Sequence, residues 1–301
     1  MKPGTKKWLR RGGLAVLLLA LLAGAAVWLG TQLAERKMNR KLDVKVPAIA
    51  LPDPGDKVAL ERGRYLYASR GCVDCHGAHG GGRTFVDDPK SGLRLAGPHI
   101  SAGAGSVTAA YRPEDWDRAI RHGVHPLGRP LLIMPSEDYN RFTDVDLAAL
   151  VGYIRSLPPA QGGAAVLELP LPVRALYGFG MIQDAAAKID HGLPPSQPVA
   201  EGVSVAHGAY VANMCLGCHG PQLAGGKVPG GPPDWPPAAR LAPGEGSVMA
   251  RYPDAESMLR MFKTGQRPDG TPVKVMPFES LREMSETDAR ALHLFLKNYP
   301  G

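Results

Sequence analysis

Two short segments constrain this chain more than anything else in it: Cys72-Val73-Asp74-Cys75-His76 and Cys215-Leu216-Gly217-Cys218-His219. They hold all 4 cysteines of the 301 residues. A zinc ribbon needs its two pairs about 15–20 residues apart, whereas 139 residues separate Cys75 from Cys215. A thioredoxin-like redox pair needs a βαβ setting, which neither segment has. A disulfide between cysteines three apart is strained, and it gives no reason for a histidine after both pairs. What remains is C-x-x-C-H, the attachment pattern of a c-type haem. In that chemistry the two sulfurs take up the vinyl groups and the adjacent imidazole becomes the proximal iron ligand. The sequence therefore predicts two covalently attached c-type haems, on Cys72, Cys75 and His76 and on Cys215, Cys218 and His219.

The sixth iron ligand matters as much as the fifth, and internal repetition supplies a candidate for each site. Between His76 and Pro159 there is one methionine, Met134, in Ile133-Met134-Pro135; the second half has Val275-Met276-Pro277. Cys72 to Met134 is 62 residues and Cys215 to Met276 is 61. Gly123-x-x-Pro126-x-Gly128 matches Gly265-x-x-Pro268-x-Gly270 at an offset of 142, the offset that also relates Met134 to Met276. Thr143 to Leu150 corresponds to Ser285 to Leu292 in the same way. Two copies of one domain are expected, with Met134 and Met276 as distal ligands and Met284 as the rival of Met276. Met214, Met249, Met258 and Met261 read as core or loop residues. His79, His99, His122 and His125 read as solvated or backbone-bonded, while Arg118, Arg121 and Arg260 read as either propionate partners or a solvated helix face.

Thr143 and Ser285 are N-cap residues followed by acidic first turns. The helices they open stop before Pro158 and Pro300, with Leu147, Leu150, Val151 and Ile154, and Ala289, Leu292 and Leu296, at helical spacing. An earlier helix in each copy leads into the cysteines and carries Gly63-Arg64-Tyr65 or Gly208-Ala209-Tyr210. A further helix is expected around Trp116, from Glu114 to His122. The 37 Gly and 29 Pro make the intervening stretches loops, able to wrap a flat cofactor without regular structure.

The net charge of +7 suggests nucleic acid until it is located along the chain. Residues 1–45 hold 10 Lys/Arg against Glu35 and Asp43, while residues 46–301 carry 25 basic and 26 acidic groups. The body has no electrostatic footprint for a phosphate backbone, and no nucleic-acid partner is expected. The basic groups flank Gly12 to Gly30, 19 residues without a charge, which as a helix would span roughly 28 Å. This reads either as an uncleaved N-terminal transmembrane helix or as a signal peptide cut near Ala23-Gly24-Ala25. Both readings export the rest of the chain. Positive charges on both flanks leave orientation undecided by the positive-inside rule.

These segments resemble the class I c-type cytochromes, specifically the membrane-associated di-haem cytochromes related to the cytochrome subunits of bacterial membrane-bound dehydrogenases. The resemblance rests on Cys72–His76 with Ile133-Met134-Pro135 and Leu150–Pro159, and on Cys215–His219 with Met276-Pro277 and Leu292–Pro300. It implies an all-α fold of two tandem cytochrome c domains with Gly/Pro-rich haem-wrapping loops, behind one N-terminal helix. The expected layout is an anchor over 1–30, a tether over 31–57, the first domain over 58–159, a linker with one short helix started by Pro172 over 160–202, and the second domain over 203–301. It further implies that Gly63 meets Tyr153 and Gly208 meets Phe295 where first and last helices cross. Pro98, and Ala239 in its place in the second copy, would offer the carbonyl that accepts from the proximal histidine. The implied function is single-electron transfer from a dehydrogenase or respiratory complex to a downstream cytochrome or oxidase, with no catalysis of its own. The implied setting is the bacterial inner membrane, N-terminus cytoplasmic and haem domains periplasmic. The alternative is a di-haem peroxidase with one open iron, disfavoured by a Met-Pro at matching distance in both halves.

Overall fold

The structure, a computed structural model, describes residues 3–228, 231–232 and 234–299; Pro300, expected to stop the last helix, lies outside them. Helix α1 (Pro3–Met38) starts the described chain. Its Arg10–Met38 part is long and apolar enough to cross a membrane, with a mean hydropathy of 2.3 over its most apolar 18 residues. The helix itself continues past Gly30, the expected end of the anchor, into the expected tether. Thr31 to Met38 contain neither Pro nor Gly, so the helix continues, and the extended tether begins only at Asn39.

In the first domain α2 (Lys57–Ser69) leads through α3 (Cys72–His76) to α4 (Pro113–His122), α5 (Ser136–Tyr139) and α6 (Asp144–Ser156). Asp56 caps α2 by accepting from the Ala59 amide at 3.0 Å, and Thr143 caps α6 by accepting from Asp146 at 3.1 Å. The two long helices cross at Gly63, where a Cβ would overlap the Ala149 carbonyl and lie 2.6 Å from the Tyr153 Cβ. Leu66, Leu147, Leu150 and Val151 form the buried centre of this crossing. In the second domain α8 (Val205–Ala212) and α9 (Leu216–His219) precede α10 (Ala255–Thr264), α11 (Phe278–Leu281) and α12 (Glu286–Lys297). Here Gly208 makes the same close approach, to the Ala291 carbonyl and to the Phe295 Cβ at 2.6 Å.

The all-α expectation needs correcting. Strands β1 (Arg83–Asp88) and β2 (Leu93–Gly97) form an antiparallel hairpin, and β3 (Val166–Glu168) from the linker pairs with β2. The turn is local chemistry: the Asp88 side chain accepts from the Lys90 amide at 3.0 Å and from the Ser91 hydroxyl at 2.6 Å, and Gly92 takes φ +74°. The linker is more ordered than a spacer. Besides β3 it holds α7 (Leu171–Gly178), with Pro172 in its first turn, which packs on α1.

Candidate haem sites

Each C-x-x-C-H segment closes into a single helical turn, and each histidine then finds a carbonyl. His76 Nδ1 lies 2.9 Å from the Pro98 oxygen, and His219 Nδ1 lies 2.7 Å from the Ala239 oxygen. A carbonyl only accepts, so Nδ1 carries the proton in both rings and Nε2 is the nitrogen left for a metal. The change from Pro to Ala at the second carbonyl is immaterial, because the contact uses the backbone. Burial lowers the pKa of both imidazoles, with the carbonyl acting in the opposite sense, and so favours the neutral ligating form. Burial also pushes the Cys72 and Cys215 thiols up to about 12 and Cys75 up to about 11. A zinc centre or a redox dithiol requires the opposite, a stabilised thiolate. Among the described residues no cluster of three or more His, Cys, Asp or Glu could hold a free metal ion.

The methionine loops repeat in detail. The Met134 carbonyl accepts from Ser136 at 2.8 Å and the Met276 carbonyl from Phe278 at 2.9 Å. Pro135 and Pro277 have near-identical backbones, φ/ψ −80°/61° and −78°/68°. Met134 packs half-buried against the first core. In the second domain Met276 lines an apolar cavity together with Cys215 and His219. Met249, Met258 and Met261 line it too, but their positions in the first copy are Val107, Trp116 and Ala119, whereas that of Met276 is Met134. Met284 is buried in the core and does not line the cavity. Two thiols, an oriented imidazole, an apolar wall and a thioether on a restrained loop are what a covalently held haem needs, so these residues fit that group.

The other candidates have structural occupations. His122 shares a 3.0 Å contact with His191, and His125 accepts from the Leu127 amide. Arg121 is no solvated face: it is buried, pairs with Asp117 and Asp144, and donates to the Phe142 carbonyl at 2.7 Å.

Reading along the chain missed how the two copies meet. The Tyr65 hydroxyl donates to Asp288 at 2.6 Å, and the Tyr210 hydroxyl donates to Asp146 at 2.7 Å, each tyrosine reaching the other domain. Ser280 on α11 donates to Asp74 inside the first Cys segment at 2.8 Å, and the Gly217 amide inside the second segment donates to Asp138 on α5 at 2.6 Å. The interface is therefore pseudo-twofold, and the short helix behind each Met-Pro abuts the Cys segment of the other domain. The signals were in the repeat itself: Tyr65 and Tyr210, Asp146 and Asp288, and Asp138 and Ser280 are equivalent positions.

Known proteins resemble this chain in the following respects. Residues 58–154 match the family model "Cytochrome C oxidase, cbb3-type, subunit III", so this segment is similar to cytochrome c domains, a family that implies a covalently bound c-type haem. The chain is 26% identical over 281 residues to the fructose dehydrogenase cytochrome subunit of Gluconobacter japonicus, covering 85% of this chain and 55% of that protein. It is 27% identical over 183 residues to the gluconate 2-dehydrogenase cytochrome c subunit of Pantoea cypripedii, covering 56% and 40%. It is 24% identical over 307 residues to the cytochrome c subunit of the quinone alcohol dehydrogenase of Gluconobacter oxydans, covering 89% and 62%. The chain is thus similar to the cytochrome subunits of several dehydrogenases. It spans about half the length of these relatives.

Proposed function

We propose that the chain is a di-haem electron-transfer cytochrome, one haem on Cys72, Cys75 and His76 with Met134 as distal ligand, the other on Cys215, Cys218 and His219 with Met276. In this reading it takes single electrons from a dehydrogenase or respiratory complex and passes them to a downstream cytochrome or oxidase. Helix α1 holds it at the bacterial inner membrane, N-terminus cytoplasmic and both domains periplasmic. The supporting observation is the reciprocal interface, in which each Cys segment is bonded to the helix following the other domain's Met-Pro. Haem held by these residues supplies reversible one-electron exchange at iron. The protein's part is orientation and exclusion. Pro98 and Ala239 fix the imidazole tautomers, Pro135 and Pro277 restrain the thioether loops, and the apolar cavity wall keeps water away.

The test is reactivity of the reduced, haem-loaded protein at neutral pH. A pair of six-coordinate centres binds carbon monoxide slowly, turns over no peroxide and is oxidised quickly by an added cytochrome. Rapid carbon monoxide binding at one haem with peroxidase turnover would replace this reading with the di-haem peroxidase.

A further inference from the structure

Helix α7 and the turn after it carry more apolar surface than a linker requires. Leu171, Leu176, Phe179 and Met181 are exposed, Met181 by 71%. The other face of α7, with Ala175, Tyr177 and Gly178, is buried against α1. The two backbones touch: a Cβ on Gly178 would overlap the Gly30 carbonyl, and one on Gly30 would lie 2.8 Å from both the Ala175 Cβ and the Phe179 ring. Polar clamps fix the register. Arg40 donates to both Asp184 carboxylate oxygens at 2.7 and 2.6 Å, and the Tyr177 hydroxyl donates to the same carboxylate at 2.7 Å. Arg174 donates to Glu35 at 2.7 Å, and Lys37 donates to the Tyr177 carbonyl at 3.2 Å.

The height of this contact along α1 is informative. From Arg10 to Leu29 every residue of α1 is exposed, and covering starts at Gly30, the last residue of the apolar Gly12–Gly30 run, just before the polar pair Thr31-Gln32. That run, about 28 Å long as a helix, matches a hydrocarbon core of about 30 Å. When α1 crosses a bilayer along it, Gly30 lies at the boundary and α7 lies there too. Apolar side chains at that depth, with Arg36 exposed on α1 just beyond Gly30 and Lys37 bonded to α7, have the composition of an interfacial helix near anionic headgroups.

We propose that α7 is an interfacial membrane helix: Leu171, Leu176, Phe179 and Met181 enter the headgroup–acyl boundary of the bilayer that α1 crosses. The haem domains are thereby seated at a fixed attitude instead of swinging on a tether. This rests on the reading of α1 as a membrane anchor.

The experiment uses the full-length, haem-loaded protein in phosphatidylcholine/phosphatidylglycerol vesicles, with one nitroxide label at a time on Leu18→Cys, Leu176→Cys, Met181→Cys or Val145→Cys. The native cysteines are consumed by haem, so only the introduced thiol is labelled. Collision of the label with an aqueous nickel chelate and with oxygen is measured by power-saturation EPR. The expected result is nickel shielding at Leu18, severalfold lower nickel collision at Leu176 and Met181 than at Val145, and raised oxygen collision at both α7 positions. If Leu18 is shielded while Leu176 and Met181 behave like Val145, α7 stands in water and this proposal is overturned with the anchor intact. If Leu18 itself is open to nickel, the anchor reading fails and the interfacial helix fails with it.

Discussion

Replacing Asp288 by Asn should cost far more than replacing its counterpart Asp146 by Asn, although the two carboxylates occupy equivalent positions. Asp288 is fully buried and accepts from Arg70 at 2.5 Å, Tyr65 at 2.6 Å and His207 at 2.7 Å. Asp146 accepts from Arg62 twice at 2.8 Å and from Tyr210 at 2.7 Å. The difference lies in the cations. The Arg70 side chain is 3% exposed and that of Arg62 is 23% exposed, with Glu201 also 3.8 Å away. Asn at 288 keeps the shape but strands a buried guanidinium, which costs about 3–5 kcal/mol. Arg62 can turn to solvent, so Asp146→Asn should cost about 1–2 kcal/mol. At about 2–4 °C per kcal/mol for a protein of this size, Tm should fall by about 6–20 °C in the first variant and by about 2–8 °C in the second.

Scanning calorimetry of the haem-loaded proteins checks this. Because Arg70 and Tyr65 belong to the first domain, Asp288→Asn should also divide one melting transition into two. Acid titration gives a second reading of the same carboxylate. Burial alone would raise its pKa, but Arg70, Tyr65 and His207 outweigh burial and hold it at about 2 against an ordinary 3.8. That difference corresponds to about 2–3 kcal/mol. A depressed folded-state pKa contributes stability that is complete above the unfolded value and is lost as pH falls from about 4 through about 2, so the parent should lose this increment on acidification and Asp288→Asn should not. A Tm loss for Asp146→Asn equal to or larger than that for Asp288→Asn would refute the argument.

Three further outcomes follow from the sites. Haem-stained denaturing gels of Cys72→Ala/Cys75→Ala and of Cys215→Ala/Cys218→Ala should each keep about half the parent signal; an unchanged stain in either would remove that site. In redox titrations, Met134→His and Met276→His should each lower one of two waves and leave the other in place, since a thioether favours the ferrous state; a second wave moved by Met284→His and not by Met276→His would reverse that assignment. Gly208→Ala should cost about 1–3 kcal/mol in thermal melts because its methyl meets the Ala291 carbonyl, and a neutral result would contradict the helix crossing.

The turn of each Cys segment was legible because it is local. Cys-x-x-Cys-His needs only one helical turn, and N-caps such as Thr143 and Ser285 act within three residues. The hairpin at Arg83–Gly97 was hidden because strands of six and five residues among Gly and Pro give a weak period. The helical continuation of α1 past Gly30 into the tether was hidden for a different reason. A glycine there would ordinarily weaken a helix, but α7 packs against it and needs the missing side chain. The domain interface was legible only as unexplained repetition. Tyr65 and Tyr210 stood out at equivalent positions, yet nothing along the chain indicates that their hydroxyls reach across to Asp288 and Asp146.

The placement of α5 and α11 ties docking to ligation. Each is a four-residue turn directly after a Met-Pro, and each bonds the opposite Cys segment through Asp138 or Ser280. On the proposed ligation by Met134 and Met276, release of a methionine would disturb the turn that helps hold the domains together. Coupling free energy is reciprocal. Whatever the docked interface adds to methionine ligation, ligation must add to docking, so separating the domains should loosen both distal ligands and releasing either ligand should loosen the domains. On the proposed function, a pair of electron-transfer centres would benefit from this arrangement, because the turns that hold the domains together directly follow both proposed methionine ligands.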